Sequence, residues 1–153
     1  MAIDAYAATF ALFEGKRWRS ALSRAYYAAY AKVVAVLLSS GMTPPARGNP
    51  GHRSMPDLIL NNMRSLDSGS RARLSGQMAT LYNLRLVADY QPDAVVDESD
   101  FRVSAGLMAR VFKDLKERGD EYTDAYTYCR DDRQAPRAAG RTFATGCAVG
   151  NSG

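Results

Sequence analysis

The sequence predicts one all-α domain, a bundle of four to five helices. Apolar side chains recur at steps of three and four in several windows, as one face of a helix requires, and no window alternates with the period of two that is typical of a strand. Glycine and proline cluster between these windows. The 153 residues, 46% of them hydrophobic and 24% charged, are enough for one core and too few for two ordinary domains.

The clearest helical window runs from Trp18 to Leu38, without glycine or proline, and Gly41 ends it. A shorter helix precedes it, with Tyr6, Phe10 and Phe13 on one stripe and Gly15 at its end. Residues 42–51 contain three prolines and two glycines and are expected to form a mobile loop. The apolar face of the long helix consists of Leu22, Tyr26, Ala29, Val33, Val36 and Leu37.

Three further helices are predicted after this loop. The third begins at Ser54 or Met55, carries Pro56 in its first turn and ends near 67–69. The fourth covers about 70–90, and the fifth begins near Asp97, whose charge suits a helix N-terminus, and extends to Gly119. Residues 1–118 thus make the bundle, while 119–153 form a C-terminal extension that we expect to be flexible and largely disordered after about 129.

Composition excludes several classes of site and location. The two cysteines form no CxxC pair and His52 is the single histidine, so we expect no metal site and no cofactor. No stretch approaches eighteen apolar residues and the N-terminus lacks a secretory signal, so we expect a cytoplasmic protein without a membrane span. The net charge is +5 in residues 1–118 and −1 in 119–153, and 16 of the 20 cations are arginine, a residue suited to phosphate or carboxylate.

The residues that can carry chemistry are densest between Ser23 and Tyr30. This segment places Arg24 and three tyrosines within two helical turns: Tyr26, Tyr27 and Tyr30. Buried tyrosine hydroxyls and an inward arginine need partners. Arg85 and Asp89, spaced i and i+4 on the fourth helix, can supply them, so we expect Asp89 to meet Arg24 or Arg85. Two interpretations stay open: an ion pair that joins two helices, or an arginine-lined cleft that holds an RNA phosphate.

Three segments resemble the HEPN domain family of small prokaryotic helical proteins, over roughly residues 5–118. They are WRSALSRAYYAAYAKVVAVLLSSG from Trp18 to Gly41, the Gly51-His52-Arg53-Ser54 stretch, and LYNLRLVADYQP from Leu81 to Pro92. The resemblance implies a helical bundle that forms a homodimer. It also implies a role in toxin–antitoxin, defence or stress systems, often beside a minimal nucleotidyltransferase that acts as antitoxin.

Many HEPN proteins are metal-independent RNases with an R-x(4-6)-H motif, in which the histidine is the acid/base for attack by the 2′-hydroxyl and the arginine holds the phosphate. Arg24 corresponds to the motif arginine, but the histidine position falls on Ala31. His52, from the same or a partner chain, can replace it, because an imidazole both takes and returns a proton near neutral pH. A phenol at Tyr27 or Tyr30, with a pKa of about 10, is a poor base there.

These observations give one hypothesis and two alternatives. The hypothesis is a HEPN-like toxin that contacts RNA or nucleotide phosphates, with Arg24 and His52 as catalytic residues. Alternatively, the chain is a non-catalytic module that binds a protein such as a nucleotidyltransferase antitoxin, or a bundle whose partners are all proteins. The residues that bind phosphate in the hypothesis, or fix the fold in the alternatives, are Tyr27, Tyr30, Arg85 and Asp89.

Overall fold

The computed structural model describes residues 2–46 and 48–116, and every regular element in them is a helix. Over this part of the chain there are five α-helices and no strand, as the apolar spacing predicts. A single 3-10 turn, His52–Ser54, stands just before the third helix. The helices are α1 (Ala2–Glu14), α2 (Trp18–Ser39), α3 (Met55–Asn62), α4 (Ser68–Tyr90) and α5 (Glu98–Asp114). The predicted disorder after about residue 129 lies outside the described residues.

Helix α2 is the centre of the bundle, with α1, α4 and α5 packed around it. Its own buried side chains are mostly alanine, tyrosine and valine, and they meet fully buried residues such as Leu74 and Leu81 of α4 and Met108 of α5. A smaller aromatic cluster fills the end of the bundle where α1 turns into α2: Phe13 stacks on Phe101 at 4.6 Å between ring centroids. The core is therefore built around one helix.

Both turns that flank α2 use the hydrogen bonds of a Schellman motif. At its end Gly41 adopts a φ of +89°, its N–H bonds Leu38, and the N–H of Met42 bonds the Leu37 carbonyl at 3.1 Å. This confirms the predicted role of Gly41. After α1, however, the left-handed residue is Lys16, with a φ of +53°, and Gly15 stands one position earlier. The predicted position of the end of α1 is confirmed, although the positive φ belongs to Lys16 and not to Gly15.

Two helices end earlier than the sequence suggested. Helix α3 stops at Asn62, and the N–H of Met63 still bonds Ile59 before the chain turns toward Asp67. Helix α5 ends at Asp114 rather than near Gly119. The start of α5 confirms the predicted cap, because Asp97 and Asp100 form a reciprocal capping box.

Helix α2 is also long and apolar enough, by length and composition, to cross a membrane. Of its 18-residue window, 56% is buried inside the bundle. The core helix of a bundle has the same length and hydropathy, so the absence of a membrane span stays a prediction.

Candidate functional site

Three tyrosines of α2 form one wall of a polar cluster at the middle of the bundle. Tyr26 is completely buried, Tyr30 is 7% exposed, and Tyr27 is half-buried nearer the surface. The spacing of four residues places Tyr26 and Tyr30 one turn apart on the same face. Tyr82 of α4 closes the far side, with its ring centroid 5.8 Å from that of Tyr26. This wall holds hydroxyl groups at different depths.

His52 is held against this wall although it follows a loop. Its Nδ1 lies 2.7 Å from the Tyr26 hydroxyl, and its ring centroid is 4.4 Å from that of Tyr30. The loop is tied down just before it, because the Tyr30 hydroxyl donates to the Pro50 carbonyl and Ser54 Oγ donates to the Gly51 carbonyl. The expectation of a mobile loop therefore does not extend to its end, where the imidazole has a defined position.

The environment keeps the imidazole neutral and the buried phenol protonated. Burial, and then the positive charge of Arg85, lower the pKa of His52 below its usual 6.5. Burial is also the main reason that the pKa of Tyr26 is raised, with the neighbouring Tyr30 as a smaller cause. At neutral pH the pair is therefore an uncharged imidazole and an uncharged phenol, in which the phenol can orient the imidazole but cannot act as a base.

Arg85 of α4 supplies the positive charge of the cluster. Its Nε lies 2.7 Å from Asp89 Oδ2, with the N–H poorly aligned to that oxygen, so the contact is an ion pair. Its Nη2 donates to the hydroxyls of Tyr27, at 2.9 Å, and Tyr90, at 3.2 Å. The guanidinium also lies over both rings, 5.5 Å and 4.9 Å from their centroids. No described residue bonds Nη1.

Asp89 connects this charge to α2. Of the two partners expected for its carboxylate, the structure shows Arg85. Ser23 Oγ donates to the same Oδ2 atom across the helix interface, at 3.3 Å. Together with the Arg85–Tyr27 hydrogen bond, this makes a network between α2 and α4 with Asp89 at its outer edge.

Arg24 lies outside this cluster. Its side chain is exposed, forms no hydrogen bond or ion pair with the described residues, and lines a groove between α1 and α2. The reason is the helical period: Arg24 is two residues before Tyr26 and therefore points about 200° away around α2. The sequence prediction paired Arg24 with His52, and within one chain the structure does not bring them together. It brings His52 and Arg85 to the same tyrosines.

Sequence reasoning does not predict three features of the cluster. The pattern places Tyr26 on the core face of α2, but nothing local shows that the loop residue His52 docks against it, and no signal singles out Tyr82. Tyr90 was overlooked although it directly follows Asp89 at the end of α4, five residues after Arg85. Among residues 2–46 and 48–116, no group of three or more histidine, cysteine, aspartate or glutamate side chains could hold a metal.

Comparison with known proteins places the chain among small helical toxin-like proteins. It is 33% identical to "Putative toxin MJ0605" of Methanocaldococcus jannaschii over 110 residues, which are 69% of this chain and 77% of that protein. The chain belongs to the family of that protein. No family model matches the sequence, and no match to a solved structure is found. The family assignment thus depends on sequence identity over about two thirds of the chain.

Proposed function

We propose that this chain is the toxin of a toxin–antitoxin, defence or stress system and cleaves RNA without a metal ion in the cytoplasm, as a HEPN-like endoribonuclease. The toxin name of its relative from Methanocaldococcus jannaschii supports the first part of this proposal. The second part rests on one observation, the 2.7 Å contact between His52 Nδ1 and the Tyr26 hydroxyl. That contact orients a neutral imidazole near the Arg85 guanidinium.

In the proposed reaction His52 is both base and acid. The proposed reaction uses the tautomer with its proton on Nδ1, in which Nδ1–H donates to the Tyr26 oxygen and the lone pair of Nε2 accepts the proton of an RNA 2′-hydroxyl. The 2′-oxygen attacks the adjacent phosphorus, the bond from phosphorus to the 5′-oxygen breaks, and the proton on Nε2 passes to that leaving oxygen. The products are a 2′,3′-cyclic phosphate and a 5′-hydroxyl. Arg85 stabilises the negative charge on the phosphorane through Nη1.

This proposal changes the arginine that the resemblance implies. Arg85 contacts Tyr27, whose ring centroid is 5.8 Å from that of His52, whereas Arg24, three residues before Tyr27, is exposed and forms no hydrogen bond with the described residues. Tyr27 lies between the two catalytic groups, and Asp89 holds the guanidinium from the other side. Within one chain, Arg85 is therefore the cation that can act with His52.

RNA cleavage in EDTA tests the proposal. The purified protein is incubated with total cellular RNA, beside His52→Ala, Arg85→Ala and Arg24→Ala, and the products are examined for 2′,3′-cyclic phosphate ends. We expect cleavage by the wild type, loss of about 10²-fold or more in the first two variants, and retention in Arg24→Ala. Arg64→Ala, which removes an exposed arginine from the turn before α4, is the matched charge control.

Two results would contradict the proposal in different ways. Absence of cleavage by folded wild-type protein would exclude the endoribonuclease hypothesis. Cleavage that is lost in Arg24→Ala but kept in Arg85→Ala would restore the motif arginine implied by the resemblance, and it would require Arg24 to meet His52 of a second copy. Circular dichroism on each variant separates loss of chemistry from loss of fold.

A non-catalytic module is the second candidate, and one observation favours it. Arg85 already has a carboxylate and two hydroxyls as partners, as an arginine that stabilises a helix interface has, and Ala31 occupies the motif histidine position. In that case Arg85→Ala would destabilise the fold by about 1–3 kcal/mol, because Tyr27 would lose a charged hydrogen-bond donor and Asp89, which lies near the surface, would lose its charge partner. Urea unfolding measures this loss of stability. A destabilised Arg85→Ala, together with cleavage that is unchanged in the variant or absent from the wild type, identifies the non-catalytic module. A homodimer or a nucleotidyltransferase antitoxin would then be the partner to seek.

A further inference from the structure

A second candidate binding surface lies on the other side of α2, between α1 and the first turns of α2. We call it the arginine groove. It is an open cavity of about 580 Å³. Its lining consists of Ala8, Ala11, Leu12, Gly15, Arg17 and Arg24. The size falls within the range of ligand-binding clefts, roughly 300–1,000 Å³.

The two cations of the groove differ from the other arginines near them. Arg17 and Arg24 are both exposed, and neither has a hydrogen bond or ion pair with any residue that the structure describes. Arg19, between them in sequence, instead turns to the far side and bonds backbone carbonyls at the end of α4. The groove therefore presents two guanidinium groups without a hydrogen-bond or ion-pair partner among the described residues.

The spacing of these cations is that of two helical turns. Arg17 and Arg24 are seven residues apart, which corresponds to about 10.5 Å along α2 with both residues on nearly the same face. Two carboxylates at positions i and i+7 of a second helix have the same separation. Opposed rows of this kind are how charged residues select a partner helix and its register.

The apolar floor decides between a peptide and RNA as occupant. Ala8, Ala11 and Leu12 offer short aliphatic groups, and Gly15 offers bare backbone, so another helix can approach closely. Proteins that bind single-stranded RNA stack its bases on aromatic rings, and the floor has none. An apolar helix face with carboxylates at its edge complements both the floor and the rim.

We propose that the arginine groove binds an acidic amphipathic helix of a protein partner, with two carboxylates seven residues apart that pair with Arg17 and Arg24. The proposal rests on the proposed function in one respect: the partner that binds the groove would be the protein that neutralises the toxin. The groove lining includes none of the residues that contact His52, so the bound helix would not cover the imidazole. Partner binding and the His52 site are therefore separable by mutation.

A synthetic helical peptide tests the groove on the full chain. The peptide carries an alanine and leucine face with two glutamates at i and i+7. A second peptide places the glutamates at i and i+4, and a third replaces them with glutamine. We expect the first to bind most tightly by fluorescence anisotropy. The Arg17→Glu/Arg24→Glu protein should bind it roughly tenfold more weakly or worse, because attraction becomes repulsion at both contacts.

The matched control is Arg64→Glu/Arg110→Glu, which changes the net charge equally at two exposed arginines elsewhere. Equal loss in both double variants, or no preference among the three peptides, would overturn the proposal. So would binding of a 20-nucleotide oligouridylate at the groove in place of the peptide, or a change in self-association of the groove variant by sedimentation. His52→Ala should bind the peptide like the wild type, so failure of RNA cleavage leaves this result intact.

Discussion

At the scale of single residues, the position of His52 depends on two hydroxyl groups from a different helix. Tyr26 bonds the imidazole, and Tyr30 bonds the carbonyl of Pro50 two residues earlier. A side chain that follows a loop is thereby held as firmly as one on a helix. The same hydroxyls explain why two tyrosines can be buried in α2, since each has a hydrogen-bond partner.

The lowered pKa of His52 predicts how stability changes with pH. The folded state favours the neutral imidazole, so its contribution is fully present above the unfolded pKa of about 6.5 and is lost as the pH falls toward the lower folded pKa. The difference in free energy of unfolding between wild type and His52→Gln should therefore shrink from pH 8 to pH 5. Urea denaturation at each pH measures it. A difference that grows on acidification would show that the environment favours the charged form.

The residue scale is also where the sequence was least informative. Its pattern identified Tyr27, Tyr30, Arg85 and Asp89 as a group, because their spacing on two helices is visible in the chain. It could not decide which arginine meets Asp89. Arg24 and Arg85 have equal chemistry. Arg85 reaches Asp89 along α4, whereas the rotation of α2 against its neighbours leaves Arg24 exposed.

At the scale of elements, α2 and α4 are joined by polar contacts at two places. The polar cluster joins them in the middle of α2, and Arg19 joins them near its start. The guanidinium donates to the Ala88 carbonyl at 2.9 Å and to those of Gln91 and Pro92 at 3.0 Å, and it also bonds the Ala94 carbonyl. These acceptors include the last turn of α4, where free carbonyls and the helix dipole both favour a cation.

Loss of this contact should weaken the whole α4–α5 connection. We expect Arg19→Ala to lower the free energy of unfolding by about 2–3 kcal/mol, since several carbonyls lose a charged donor at once. Lysine at position 19 should recover only part of this, because it lacks the planar fork. Hydrogen exchange of the Gln91 and Ala94 amides, which bond the carbonyls of Val87 and Gln91, gives a local readout. The control is Arg17→Ala, which removes an exposed arginine two residues away. Equal destabilisation by Arg17→Ala would show that the hydrogen bonds of Arg19 to the end of α4 do not stabilise the fold.

The cap of α5 makes a second prediction at this scale. Asp97 accepts hydrogen bonds from the backbone N–H groups of Ser99 and Asp100, and Asp100 accepts one from the N–H of Asp97. Asp97→Ala should therefore cost about 1 kcal/mol. Thermal unfolding compared with Asp93→Ala, a nearby exposed carboxylate outside the box, measures this cost. A cost no greater than that of Asp93→Ala would mean that the cap contributes nothing. This element was predictable because capping is local in sequence.

At the scale of the whole molecule, the sequence pattern predicts the fold class and several helix ends, but not the ends of α3 and α5. The number and order of helices followed from apolar spacing and from clusters of glycine and proline. The early stops of α3 and α5 did not, because the residues beyond them still include helix formers and only packing decides where a helix ends. The central place of α2 was also beyond reach, as it depends on which helices surround it.

A bundle built on one core should unfold as one unit. Leu81 of α4 is completely buried among residues of α2, α3 and α5, so Leu81→Ala should lower the free energy of unfolding by about 2–5 kcal/mol. Fluorescence and circular dichroism should still report one coincident transition. Leu60→Ala, at a leucine that is 41% exposed, should change little. Separate transitions for the two probes would indicate that part of the chain unfolds independently.

The anchoring of the loop before His52 has a practical consequence for labelling. Gly41 fixes the start of this loop, and the Tyr30–Pro50 hydrogen bond fixes its end. Residues 43–46, 48 and 49 between them are exposed. Doubling the length of such a loop costs only about 0.6 kcal/mol of closure entropy. A tetracysteine tag or short epitope inserted after Thr43 should therefore label the protein without displacing the His52 imidazole. This position in the loop tolerates insertion.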